Sequence, residues 1–156
     1  MNRKIFFCKL WFRGHKKATD LWPPERAKEA HEAERLYTVL VDSIERPNCY
    51  LDITNKFVGV SFLDENLRDC LEYHFQEIEP GQLFLSKAVH RQYNGSSDTV
   101  TQGDTFMFKP DGRVHMRKGF FNPHRLETAD TTADVRGNYS PFPEFGEYDD
   151  LIRKDR

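Results

Sequence analysis

Residues 138–152, Asn-Tyr-Ser-Pro-Phe-Pro-Glu-Phe-Gly-Glu-Tyr-Asp-Asp-Leu-Ile, rule out most of what a chain could build at this point. Pro141 and Pro143 lack an amide donor and fix φ, so the stretch cannot run as an ordinary helix. Disordered segments are poor in aromatics because they have no core in which to bury rings. This one carries Tyr139, Phe142, Phe145 and Tyr148. A stiff, aromatic segment of this kind must lie across its own domain or on a partner. Glu144, Glu147, Asp149 and Asp150 make it acidic as well, which points to recognition rather than to chemistry.

The rest of the chain suits a β-rich core. Thirteen phenylalanines sit among 31% charged residues, and the mean hydropathy is -0.74. Large rings in a polar background fit strands with one buried and one charged face. At 156 residues the chain fits a single domain, 1–156, with residues 127–156 as a loop and tail packed on that domain or on a partner.

Residues 4–13 alternate rings, aliphatics and bases and read as a first strand. Both of its faces are largely apolar, which predicts an interior strand rather than an edge. Residues 14–20 read as a basic connection, after which Pro23 and Pro24 open a helix, with Glu25 at the positive end of its dipole. Ala33, Leu36, Tyr37, Leu40, Val41 and Ile44 continue it as one apolar stripe at helical spacing. Residues 50–54 and 57–62 read as strands joined at Asn55-Lys56. Leu71, Tyr73 and Phe75 alternate with polar residues, Pro80-Gly81 is a turn, and 83–93 runs back. Phe106 and Phe108, then Pro110-Asp111-Gly112, then Val114 and Met116 form the clearest hairpin. Residues 128–134 read as a polar loop. The expected fold class is α+β: an N-terminal strand, one long helix, a curved antiparallel meander and a non-regular tail. Phe6, Leu10, Leu36, Leu40, Val60, Phe75, Phe108 and Val114 are expected to share one core.

Candidate chemistry is sparse. His74, His90 and His115 fall on three predicted strands. If they shared a face, two imidazoles could act as base and acid in a small metal-independent nuclease or hydrolase, with an arginine holding the phosphate. On solvated faces they would do nothing of the kind. His31, flanked by Lys28 and Arg35, reads as part of a surface helix. Cys8, Cys49 and Cys70 contain no C-x-x-C pair, so free thiols are expected, with no metal and no cofactor. Cys70 and His74 would lie about 13 Å apart along a strand, too far to form a nucleophile pair. The N-terminal strand combines rings and bases in a way that suits single-stranded nucleic acid. A net charge of -2 argues against that partner. No stretch is long and apolar enough for a membrane span, and a cytoplasmic location is expected.

The Phe-x-Phe-x-Pro-Asp-Gly-x-Val hairpin at 106–114 and the aromatic-acidic ending at 143–152 give the chain a general character similar to that of the immunity proteins of bacterial polymorphic toxins, contact-dependent or type VI. That resemblance implies a non-enzymatic inhibitor that covers the active site of a cognate, basic toxin domain. Tyr139, Phe142, Glu144, Phe145, Glu147, Tyr148, Asp149 and Asp150 are the residues expected to make that contact.

Overall fold

The structure, a computed structural model, describes residues 3–121 and 123–155. It is a mostly β protein built on one antiparallel sheet of eleven strands, not the α+β fold that the helical stripe suggested. The strands in chain order are β1 (Ile5–Phe12), β2 (Lys17–Trp22), β3 (Tyr37–Val41), β4 (Cys49–Ile53), β5 (Phe57–Leu63), β6 (Asp69–Glu79), β7 (Gln82–Tyr93), β8 (Val100–Phe108), β9 (Arg113–Phe120), β10 (Arg125–Thr132) and β11 (Tyr139–Pro141). Across the sheet the order is β10-β9-β8-β7-β6-β5-β4-β3-β1-β2. β11 pairs with Gln82, Leu83 and Phe84 of β7, while β8 pairs with β7 from Lys87 onward.

The long helix is the main correction. The only α-helix among the described residues, α1, spans Pro24–Glu32. It ends in a Schellman turn: Glu34 takes φ 58°, its amide donates to the His31 carbonyl, and the Arg35 amide donates to the Ala30 carbonyl at 2.8 Å. The chain then extends into β3, Tyr-Thr-Val-Leu-Val, all five residues of which are buried. Residues 36, 37, 40, 41 and 44 do fall at helical spacing. A contiguous run of β-branched and aromatic residues between two flanking strands is nevertheless better satisfied as an interior strand, with both of its faces covered.

Two further segments read as connections are strands. β2 occupies much of the basic 14–20 stretch, and β10 replaces the polar loop at 128–134. Every residue of β10 is exposed. An edge strand with no buried face lacks the apolar alternation by which strands are recognised.

The sheet has two different faces. On the first, Phe7, Val39, Leu51, Val60 and Tyr73 are register neighbours from β1 to β6, and all are buried. Ala27 and Ala30 of α1, with Tyr148 and Leu151 of the tail, close this core. The second face holds a smaller core of Cys8, Trp11, Leu40, Tyr50 and Leu63. The single expected core is therefore divided. Val60 and Phe75 belong to the first cluster, whereas Leu40 belongs to the second with Phe6 packed against it. Val114 is buried elsewhere, while Leu10 and Leu36 are 41% and 43% exposed. Phe108 is half-buried.

Candidate functional site

The tail acquires its shape from its rings. The buried side-chain amide of Asn138 donates to the Leu85 carbonyl at 2.9 Å, which starts β11 along the end of β7 that β8 leaves unpaired. Tyr139 meets Phe84 edge-on, 5.0 Å between centroids. The Phe142 amide donates to the Gly81 carbonyl, and Phe145 stacks on Phe7. Gly146, at φ 90°, turns the chain in a conformation that a side chain would strain. Tyr148 then enters the first core, and its hydroxyl lies 2.9 Å from that of Tyr37.

With the rings turned inward, the carboxylates are left around an opening. Glu144, Glu147, Asp149 and Asp150 line one cleft of about 760 Å³ together with Phe142, Tyr148 and Arg3. Among the described residues Arg3 is the sole basic one lining it, and its guanidinium is engaged by Asp42 through two contacts of 3.2 and 2.6 Å. Arg153 approaches Asp150 at 3.2 Å from a second, adjoining depression. With Asp150 paired to Arg153 and Arg3 to Asp42, the lining still holds more carboxylates than cations, which makes this concave site acidic.

Of the eight residues expected to contact a partner, six line this cleft: Phe142, Glu144, Glu147, Tyr148, Asp149 and Asp150. Tyr139 and Phe145 do not. Phe145 rests on Phe7, and Tyr148, at 4% exposure, is a wall rather than an anchor. Sequence reading missed Arg3, whose place at the cleft follows from the pairing of β1 with β3 and not from any local motif.

The histidines do not converge. Register neighbours share a face, and the pairings His74–Lys87, Lys87–Met107 and Met107–His115 set His74 and His115 on the second face, three strands apart. That separation is roughly 14 Å. His90 pairs with Leu71 and Asp104 on the opposite face. The proposed acid–base pair is not assembled. His115 Nδ1 instead lies 2.7 Å from Asp130. Among the described residues, no three His, Cys, Asp or Glu side chains gather in a way that could hold a metal. No helix there is long and apolar enough to cross a membrane.

The second face carries an ionic cluster that sequence reading also missed. Glu72, with a side chain 6% exposed, accepts from Arg13 at 2.8 Å and from Arg91 at 2.7 Å. Arg13 Nε also donates to the Tyr50 hydroxyl at 2.8 Å and lies 3.0 Å from Asp69. Burial alone would raise the Glu72 carboxyl, but Arg91 and Arg13 outweigh it and hold the group below its ordinary range. For Asp69 burial wins, and its carboxyl is raised despite Arg13. Arg13, just past the end of β1, and Arg91 of β7 both bond Glu72 of β6, which ties these three parts of the sheet together.

Compared with known protein families, with curated proteins and with solved structures, the chain matches none.

Proposed function

We propose that this protein is a non-catalytic inhibitor of the immunity type, which binds a basic toxin domain through the acidic cleft of its C-terminal tail. The observation that carries the reading is the convergence of Glu144, Glu147, Asp149 and Asp150 on one concave site. The rings that might have served a partner are used to build the cleft, so the contact is polar at its centre. Lysine or arginine side chains of the toxin enter the cleft, and the body of the sheet excludes substrate from the toxin's active site. Charge complementarity of this kind accelerates encounter more than it deepens affinity.

The experiment is association kinetics, at low and at high salt, with a toxin domain taken from the C-terminus of any large polypeptide whose gene directly precedes this one. The variant combines Glu144→Gln, Glu147→Gln, Asp149→Asn and Asp150→Asn. Its on-rate should fall about tenfold or more at low salt and lose most of its salt dependence. Unchanged association at both salts would remove the cleft from the interface.

A further inference from the structure

The tail that forms the cleft is tied to the fold by a chain of three side chains. His31 Nδ1 lies 2.8 Å from the Tyr37 hydroxyl, and that oxygen lies 2.9 Å from the hydroxyl of Tyr148. Tyr37 and Tyr148 are 0% and 4% exposed. Each hydroxyl has a single proton to donate, so the chain has two directions, set by whether Nδ1 is bare or protonated.

In the first direction Tyr148 donates to Tyr37, and Tyr37 donates to an unprotonated His31 Nδ1. Every proton then has an acceptor. In the second, Nδ1–H donates to Tyr37, and either Tyr37 donates to Tyr148 and the Tyr148 proton is directed into the core, or Tyr37 accepts from both neighbours and its own proton is left over. Tyr37 is the only side chain hydrogen-bonded to the Tyr148 hydroxyl among the described residues. A buried donor without an acceptor is costly. The packed tail therefore selects the first direction and requires Nδ1 to be bare.

We propose that protonation of His31 reverses this chain and unlatches the tail, so that the acidic cleft is assembled at neutral pH and dispersed in acid. The proposal rests on reading the cleft as the binding site, since it describes that site's regulation. An imidazolium carries protons on both nitrogens and cannot accept from Tyr37. The groups bordering His31 are Glu32, Glu34 and Arg35 around the end of α1, Glu77 of β6, Tyr37 of β3 and Phe142 of the tail. The Phe145 ring meets the imidazole edge-on at 5.8 Å. Burial pushes His31 below the ordinary imidazole range against the opposing pull of Glu32. The sign follows: the unlatched state, with an ordinary pKa of about 6.5, binds the proton more readily than the latched state. Latching is complete above that value. It weakens as pH falls below it, by up to about tenfold per pH unit, until the latched histidine itself titrates.

The test is amide hydrogen exchange of the full chain without any partner, at pH 7.5 and pH 5.0, corrected for intrinsic exchange rates. Protection of residues 142–152 should fall about tenfold or more in acid, while that of β4 and β5 changes far less. His31→Gln keeps a neutral acceptor at both pH values, and its tail protection should differ by less than twofold. Proton NMR titration of the unmodified chain gives a second reading, in which the His31 midpoint must coincide with that of the tail. Equal wild-type tail protection at both pH values, or a His31→Gln tail that opens in acid like the wild type, overturns the latch. Because no partner is present, a cleft that fails to bind a toxin leaves this result intact, and the two readings fail separately.

Discussion

The ring of Phe145 lies on that of Phe7, with 5.1 Å between centroids and 20° between planes. One residue belongs to the first strand and the other to the tail, so the acidic cleft is fixed to the sheet by stacked rings near opposite ends of the chain. Offset stacking of this kind adds about 0.5–1.5 kcal/mol to the burial of the rings.

Replacing Phe145 by alanine should therefore destabilise the whole domain and not merely loosen the tail. Because the ring is only partly buried, we expect a loss of about 2–3 kcal/mol, near the lower end of the range for large-to-small core changes. Urea denaturation monitored on the sheet is the measurement. An unaltered midpoint would mean that the tail contributes nothing to the first core.

Leu36 and Leu40 separate the strand from the helix that spacing suggested. Leu40 is fully buried and Leu36 is 43% exposed. Leu40→Ala should cost about 2–5 kcal/mol, and Leu36→Ala about 0.5 kcal/mol or less. On one helical stripe both would have been costly. Comparable losses in the two variants would favour the helix.

Glu72 gives the protein part of its acid sensitivity. Its carboxyl is held below the ordinary range once Arg91 and Arg13 outweigh burial. The stability it contributes is present above pH 4.3 or so, the ordinary glutamate value, and is lost as pH falls through its depressed value. Glu72→Gln should cost about 1–3 kcal/mol at pH 7, less than a wholly buried pair, because the Arg13 side chain is 56% exposed. The variant's stability should also vary less between pH 5 and 3 than the wild type's, by thermal melts across that window. A parallel decline would exclude Glu72 as a source of the acid dependence.

The thiols offer an independent check on burial. Desolvation pushes Cys8 and Cys49 up to about 12, so neither holds appreciable thiolate at pH 8. An alkylating reagent at that pH should leave both unmodified in the folded protein and label them on unfolding. Rapid native labelling of Cys49 would contradict its place in the first core.

Much of the meander was legible because hairpins are local. Asn55-Lys56, Pro80-Gly81 and Pro110-Asp111-Gly112 each join strands that are neighbours in sequence, and the structure keeps all three turns. The path failed where the evidence was not local. At residues 36–44 helical spacing and a contiguous apolar run made opposite claims, and only burial on both faces decides between them. β10 was invisible because an exposed edge has no periodicity to read. The candidate site divides the same way. Its carboxylates were evident as a group, but the inward turn of Tyr148 and Phe145 depends on Tyr37 and Phe7, contacts no local pattern reports. His31 looked like a surface residue because the helix it closes was expected to continue past it.

The seating of β11 and the tail also has a consequence for biosynthesis. Phe7 and Tyr37 leave the ribosome well before their covering residues Phe145 and Tyr148 are made. At typical elongation rates that interval is roughly ten seconds. The first core stays open for all of it, and the loop that must close is nearly as long as the chain, which favours slow folding. A chain interrupted before Tyr148 would offer those aromatic residues to chaperones and proteases. Translation must pass Tyr148 before the domain can leave their care.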